Sequence, residues 1–190
     1  MNSELTGLTT AHLTTFIDNF GKEVTLHHDS VVAFGKLQEA ASEHGFNLQV
    51  ASGFRSYQRQ ATIWNNKFSG KTHVYDDANT IVDLSALNDL DKLFAIMRFS
   101  ALPGFSRHHW GSDLDYFDAN AIAQHQATHQ SNHPYQLQLL PNEYTSNGIF
   151  SQLHDWLQRH ANEFGFYFPY DQDRGGISPE PWHLSYAAVS

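Results

Sequence analysis

The stretch GFSRHHWGSDLDYFD, Gly104 to Asp118, constrains the fold more than any other part of the chain, because it crowds two histidines and three aspartates around Gly111. Side chains that share a small divalent metal lie about 2.0 to 2.2 Å from it, so two of them stand no more than roughly 4 Å apart. His108 and Asp115 are seven positions apart. On a straight helix they would share a face about 10 Å apart, at about 1.5 Å per residue, and on a straight strand they would be farther still. The chain must therefore double back between them, and Gly111 is the residue that tolerates either backbone sign at such a turn. The spacing predicts a loop followed by a strand, with Asp115 at an inward position of LDYF. Alternation along that strand would point Asp113 the same way, so on chemistry alone either aspartate could be the ligand.

A third ligand has to come from elsewhere, and SPEPWHLSY offers His183, entering a strand just behind Trp182, with Glu180 three residues earlier. A His, Asp, His set around zinc leaves its fourth position open to water, which marks a catalytic rather than a structural site. Hydrolysis then needs one nearby carboxylate that is not a ligand, to take the water's proton and pass it to the leaving amine. Glu180 fits that part. Most of the other histidines, of 13 in all, are expected to be ordinary surface or hydrogen-bonded residues. The trio His125, His129, His133 has i, i+4 spacing but lacks the glutamate of HExxH and runs into Pro134, so it is not read as a metal site. His109 is read as a supporting or solvent residue, and Trp182 as packing that fixes His183.

The remaining pattern places these residues on elements. DSVVAFGKLQEAASEHG reads as a helix with Asp29 as N-cap and Gly45 as its stop. NLQVASGF reads as a strand, and Ser56 caps a following helix that ends at Gly70, which puts Arg55 at a strand-to-helix junction. Lys71 to Asp83 reads as a loop, SALNDLDKLFAIMRFSALPG as a helix closed by Pro103-Gly104, and 119 to 148, with its alternating YQLQL, as a long surface excursion. IFSQLHDWLQRHANEFG is the last clear helix, and FGFYFPY and WHLSY read as strands.

Ser106, His108, Gly111 and Asp115 fit the motif SxHxxGxAxD, and Glu180, Trp182 and His183 fit the ending E-x-W-H, of the zinc D-Ala-D-Ala carboxypeptidase family. SGFRSYQRQ, Ser52 to Gln60, resembles a third element, SGYRSxxxQ, of that family's vancomycin-resistance-type branch. The three stand in the family's order across residues 52 to 186. The resemblance implies that His108, Asp115 and His183 bind zinc, that Glu180 is the catalytic base, and that Arg55, Gln60 and Ser106 hold the substrate's terminal carboxylate and polarise the scissile carbonyl. It selects Asp115 over Asp113 as ligand, although Asp113 stands where the motif usually has alanine. It also implies an α+β fold, a small antiparallel sheet with helices packed around it, shared with lysostaphin and the sonic hedgehog signalling domain.

At 190 residues the chain is expected to form one zinc peptidase domain, with its motif-bearing core at about 46–190. Composition bears on partners. With 11 basic against 20 acidic side chains and a net charge of -9, nucleic acid and anionic membrane surfaces are poor partners, and a monomer is expected. The absence of cysteine excludes thiolate ligands and disulfides. The N-terminal stretch has neither a basic start nor an apolar run of signal-peptide length, so a cytoplasmic location is expected, or a periplasmic one if a leader has been removed. Together these favour an L,D-carboxypeptidase that takes D-Ala from peptidoglycan tetrapeptides or soluble muropeptides during wall recycling. The alternatives are a D,D-carboxypeptidase cutting D-Ala-D-Ala termini of wall precursors, and more remotely a non-catalytic zinc-containing binding module.

Overall fold

The computed structural model describes residues 3–18, 20–129 and 133–190. A hairpin of β1 (Leu13–Ile17) and β2 (Glu23–His27) runs directly into helix α1 (His28–Glu43). In β2, Val24 and Leu26 are buried between more exposed neighbours, so one face packs on the core. α1 buries Ser30, Phe34, Leu37 and Ala41, positions three or four apart on one helix face. Its N-cap is His27 rather than Asp29: the His27 Nδ1 accepts the Asp29 N–H at 3.2 Å. Asp29 instead sits in the first turn, where its charge suits the helix dipole.

Four strands, β3 (Leu48–Ser52), β4 (Asp113–Asp118), β5 (Phe166–Tyr167) and β6 (His183–Tyr186), form an antiparallel sheet in the order β3-β4-β6-β5. β4 is therefore central, and its sequence DLDYFD alternates. Leu114 and Tyr116 are fully buried against Leu48, Val50, Leu184, α1 and the helix Ser151–His160, each contributing about 1.5 to 3 kcal/mol by leaving water. Asp113 and Asp115 point to the other face. The register sets Asp115 opposite both Ser52 and His183, and Asp113 opposite Ser185. A register shift between Val50 and Ser52 bends β3 beside Asp115.

Helix α2 (Tyr57–Phe68) is capped as expected, with the Ser56 hydroxyl accepting the Arg59 N–H, and α3 (Asp89–Met97) packs beside it over Trp64, Val74, Leu84 and Ile96. α3 is much shorter than the segment from Ser85 to Gly104 suggested. Asn88 accepts the N–H groups of Leu90 and Asp91 and so starts the helix there, leaving Leu84–Ala86 as a separate 3-10 turn capped by Asp83.

The segment 119–148 is more than a surface excursion. It forms α4 (Ala119–His129) and α5 (Pro141–Tyr144), and Tyr144 is fully buried with its hydroxyl donating to the Tyr116 carbonyl at 2.6 Å. Buried Glu143 accepts from the Tyr135 hydroxyl and from the backbone of Gln138 and Leu140. The alternation in YQLQL reflects Tyr135, Leu137 and Leu139 turning inward to the core, not a strand. His125 and His129 stack at 4.1 Å on α4, and His133 lies beyond the helix. α6 (Ser151–His160) closes the core, followed by a 3-10 turn and Gly165. β5 is two residues long because Pro169, lacking an N–H, cannot extend the ladder. No helix among the described residues is long and apolar enough to cross a membrane.

Candidate metal centre and active-site cleft

The turn and the strand anticipated around Gly111 bring His108, Asp115 and His183 together. Arg107–Trp110 forms a 3-10 turn, Gly111 follows with φ 73°, and β4 begins at Asp113. A Cβ at Gly111 would lie 2.5 Å from Leu13 Cδ2 and 2.8 Å from the His27 nitrogen, so both conformation and space require glycine. The doubled-back chain sets His108 Nε2 3.3 Å from Asp115 Oδ1, and the cross-strand pairing sets His183 Nδ1 3.2 Å from the same oxygen.

These three residues form a buried group whose donor atoms all lie within 4.8 Å of one another. Donors about 2.1 Å from a tetrahedral zinc are separated by about 3.4 Å, so the spacing fits. Asp115 Oδ1 and His183 Nδ1 are both buried without a hydrogen-bond partner, an arrangement that is costly unless a cation satisfies them.

The tautomers are set from behind. The Gly53 carbonyl, 2.8 Å from His108 Nδ1, can only accept, so that nitrogen carries the proton and Nε2 offers its lone pair. Asp113 Oδ1 accepts His183 Nε2–H at 2.9 Å and frees Nδ1. Asp113 stands outside the converging group and is itself held by Arg107 at 2.8 Å and by the hydroxyls of Ser112 and Ser185. Carboxylates that orient ligating imidazoles in this way are a regular part of metal sites.

Burial would raise the Asp113 carboxyl, but His183, Arg107 and Ser112 outweigh it and bring it down to about 2. Asp115 likewise stays well below the usual range, because His108, His183 and Arg55 outweigh burial. Burial, then Arg55, lowers the pKa of His108, whereas around His183 the three carboxylates overcome burial and push it well up. Arg55 and Arg107 already offset two of the three carboxylates, so the fit to a cation rests on the converging donors and on the unpartnered Asp115 Oδ1 and His183 Nδ1.

Glu180 is buried, with Oε2 3.4 Å from His183 Nδ1. A turn places it: its N–H donates to the Tyr170 carbonyl, and its own carbonyl accepts from His183. Burial raises its pKa, with His183 and Arg55 opposing, which favours a group that exchanges protons. Arg55 donates to Asp115 Oδ2 at 2.7 Å and to the Ser52 hydroxyl at 2.9 Å. His109 is buried rather than solvent-exposed. It staples the Arg55 carbonyl at 2.6 Å and accepts the Gly104 N–H.

A cavity of ≈ 610 Å³ opens over the metal group, and Arg55, Ser106, Tyr170 and Glu180 line it. Gln60 does not line it. Fully buried behind the wall, Gln60 donates to the carbonyl of Ala101, a residue that does face the cavity, so its reach to a substrate is indirect. Trp182 packs against Phe99 and Tyr144, holding the entry to β6. Three cavity or supporting residues carried no sequence signal: Arg107, Tyr170, whose ring lies 5.0 Å from that of His183, and Lys67.

With this geometry in place, the chain can be compared with known proteins. Residues 23–189 match the VanY family profile, described as D-alanyl-D-alanine carboxypeptidase. An uncharacterised protein of Haemophilus influenzae is 45% identical over 98 residues, 52% of this chain and 67% of that protein. The putative carboxypeptidase YodJ of Bacillus subtilis is 25% identical over 166 residues, 85% of this chain but 46% of YodJ. Among solved structures, the vancomycin-resistance D,D-pentapeptidase VanY, in complex with Zn(II), superposes with a TM-score of 0.63 at 19% identity, covering 95% of this chain and 83% of its own. The LD-carboxypeptidase LdcB gives 0.61 at 22% identity, covering 93% and 68%. These two likenesses concern the fold, and it is the anticipated one, a small antiparallel sheet with helices packed around it. From the profile match over nearly its whole length, this chain belongs to the VanY family of D-alanyl-D-alanine carboxypeptidases.

Proposed function

We propose that the protein is a zinc carboxypeptidase that releases the terminal D-Ala of peptidoglycan stem peptides, and that its preferred bond is the L,D bond of the tetrapeptide. The observation that carries the hydrolytic reading is the convergence of His108, Asp115 and His183 on one point with Glu180 beside it. Zinc held by those three side chains would supply Lewis acidity toward a water and toward the scissile carbonyl. Glu180, kept easily protonated by burial, takes a proton from the attacking water and returns it to the departing amine. Arg55, fixed by Ser52 and Asp115, directs its guanidinium at the carbonyl oxygen as negative charge develops there. Ser106 is assigned to the terminal carboxylate, with Gln60 acting through Ala101.

The size of the cleft allows the L,D bond. In a D,D cleavage the residue before the scissile bond is alanine, a single methyl. In an L,D cleavage it is the long third residue of the stem, and a cavity of ≈ 610 Å³ running along α2 has room for it. Soluble muropeptides of wall recycling, met in the cytoplasm, are the substrates we propose. The net charge of -9 disfavours adhesion to anionic polymers, and fractionation of the host checks the compartment.

Mass spectrometry of zinc-loaded protein incubated with tetrapeptide and with pentapeptide, each with and without chelator, tests the reading. Loss of one alanine from the tetrapeptide, abolished by chelation, is expected; loss from the pentapeptide alone would make the enzyme a D,D-carboxypeptidase, and inertness toward both would leave a zinc-containing binding module. Glu180→Gln should retain zinc and lose far more than tenfold in kcat, about 1.4 kcal/mol of barrier per factor of ten. Turnover within tenfold of the parent would show that the proton is carried elsewhere.

A further inference from the structure

The wall of the cleft formed by α2 carries charge that the chemistry above does not use. Arg59, Ile63 and Lys67, each one helical turn from the next, line the same cavity as Arg55 and Glu180. The Lys67 ammonium donates to the Ser100 hydroxyl at 2.6 Å and forms no ion pair among the described residues, nor does the exposed Arg59. Burial, and then Arg55, pull the Lys67 pKa down to about 8, with Glu180 opposing.

A lysine half withdrawn from water, with a neutral hydroxyl as its hydrogen-bond partner and Glu180 acting on it only at a distance, costs stability. On a chain of net charge -9 it stands out all the more, because carboxylates to pair with it are plentiful. Arg55 is already engaged by Asp115, so a peptide entering the cleft meets uncompensated positive charge at Lys67 and Arg59. The cavity extends well past the space a terminal alanine fills.

We propose that Lys67, assisted by Arg59, is a subsite for a second carboxylate of the substrate, one upstream of the scissile bond. This rests on the stem-peptide reading above and deepens it. Two groups of a stem peptide supply that chemistry: the side-chain carboxylate of a third residue such as diaminopimelate, and the α-carboxylate of the γ-linked D-glutamate. A third-residue lysine would bring an ammonium to the same wall and be disfavoured.

Calorimetry on zinc-loaded Glu180→Gln protein, which reports binding without turnover, separates the sources with four tetrapeptides: both carboxylates free, either one amidated, and both amidated. Amidating the carboxylate that Lys67 holds should weaken binding about tenfold, the worth of one charge-assisted hydrogen bond. In the double variant with Lys67→Met that preference should shrink to within about twofold, and Lys67→Arg should restore it. The inference fails if neither amidation matters, if the preference survives Lys67→Met, or if Lys67→Met weakens all four peptides alike. Binding that ignores the carboxylates sinks only this subsite; absence of both binding and turnover sinks the stem-peptide reading with it.

Discussion

Asp113 and Asp115 stand two positions apart on one face of β4, yet only one of them meets the metal group, because Arg107, Ser112 and Ser185 draw Asp113 back onto the far nitrogen of His183. Asp113→Ala should leave the three ligands in place and still weaken zinc binding about 10- to 100-fold, since the imidazole loses the acceptor that fixes its tautomer; competition with a chromogenic chelator measures this, and unchanged affinity would refute the orienting role. Lys67 makes a prediction of opposite sign. Its folded pKa of about 8 lies below the ordinary 10.5, so the folded state binds fewer protons between those values and stability rises with pH across that window. Lys67→Met should therefore raise the melting temperature at pH 7, with the gain over the parent shrinking as pH climbs from about 8 toward 10.5. At this scale the sequence was legible wherever local geometry decides. Spacing and alternation brought out His108, His183, Glu180 and the pair Asp113 and Asp115, and only the family resemblance chose between the two aspartates. Arg107, Tyr170 and the role of Lys67 depend on which loops meet across the cleft, and no periodicity encodes that.

Among the elements, the hairpin of β1 and β2 and the turn before β4 constrain each other through Gly111. Gly111→Ala would place a methyl against Leu13 and the His27 backbone at a left-handed φ. A loss of at least about 1 to 3 kcal/mol is expected, read as a lower melting temperature together with weaker zinc binding, since His108 rides on the same turn. If Gly111→Ala melts like the parent, the hairpin does not brace the site. The helices were readable from their caps: Ser56 opens α2 as expected, whereas Asn88 opens α3 later than apolar content alone suggested. β5 was anticipated but is cut short at Pro169, whereas α5, a single turn pinned by Tyr144 and Glu143, is too short to show a helical period in the sequence.

For the whole molecule, a cation that satisfies the buried and unpartnered Asp115 Oδ1 and His183 Nδ1 binds the folded state and not the unfolded one, and so stabilises it. Chelation should lower the melting transition, by an amount equivalent to about 4 kcal/mol relative to protein in free zinc a thousandfold above its Kd; a melting curve indifferent to chelator would show that the site does not depend on the ion. The pairing of β4 with β6 has one more consequence. His183 faces Asp115 only when these two strands are already side by side, and His108 joins them only when the turn at Gly111 has closed. A chain still in search of its fold owns the separate donors, and the complete three-donor site exists only once the sheet has assembled. Occupancy of the centre is then a tally of correctly finished molecules, and a half-made one is harmless to the wall peptides around it.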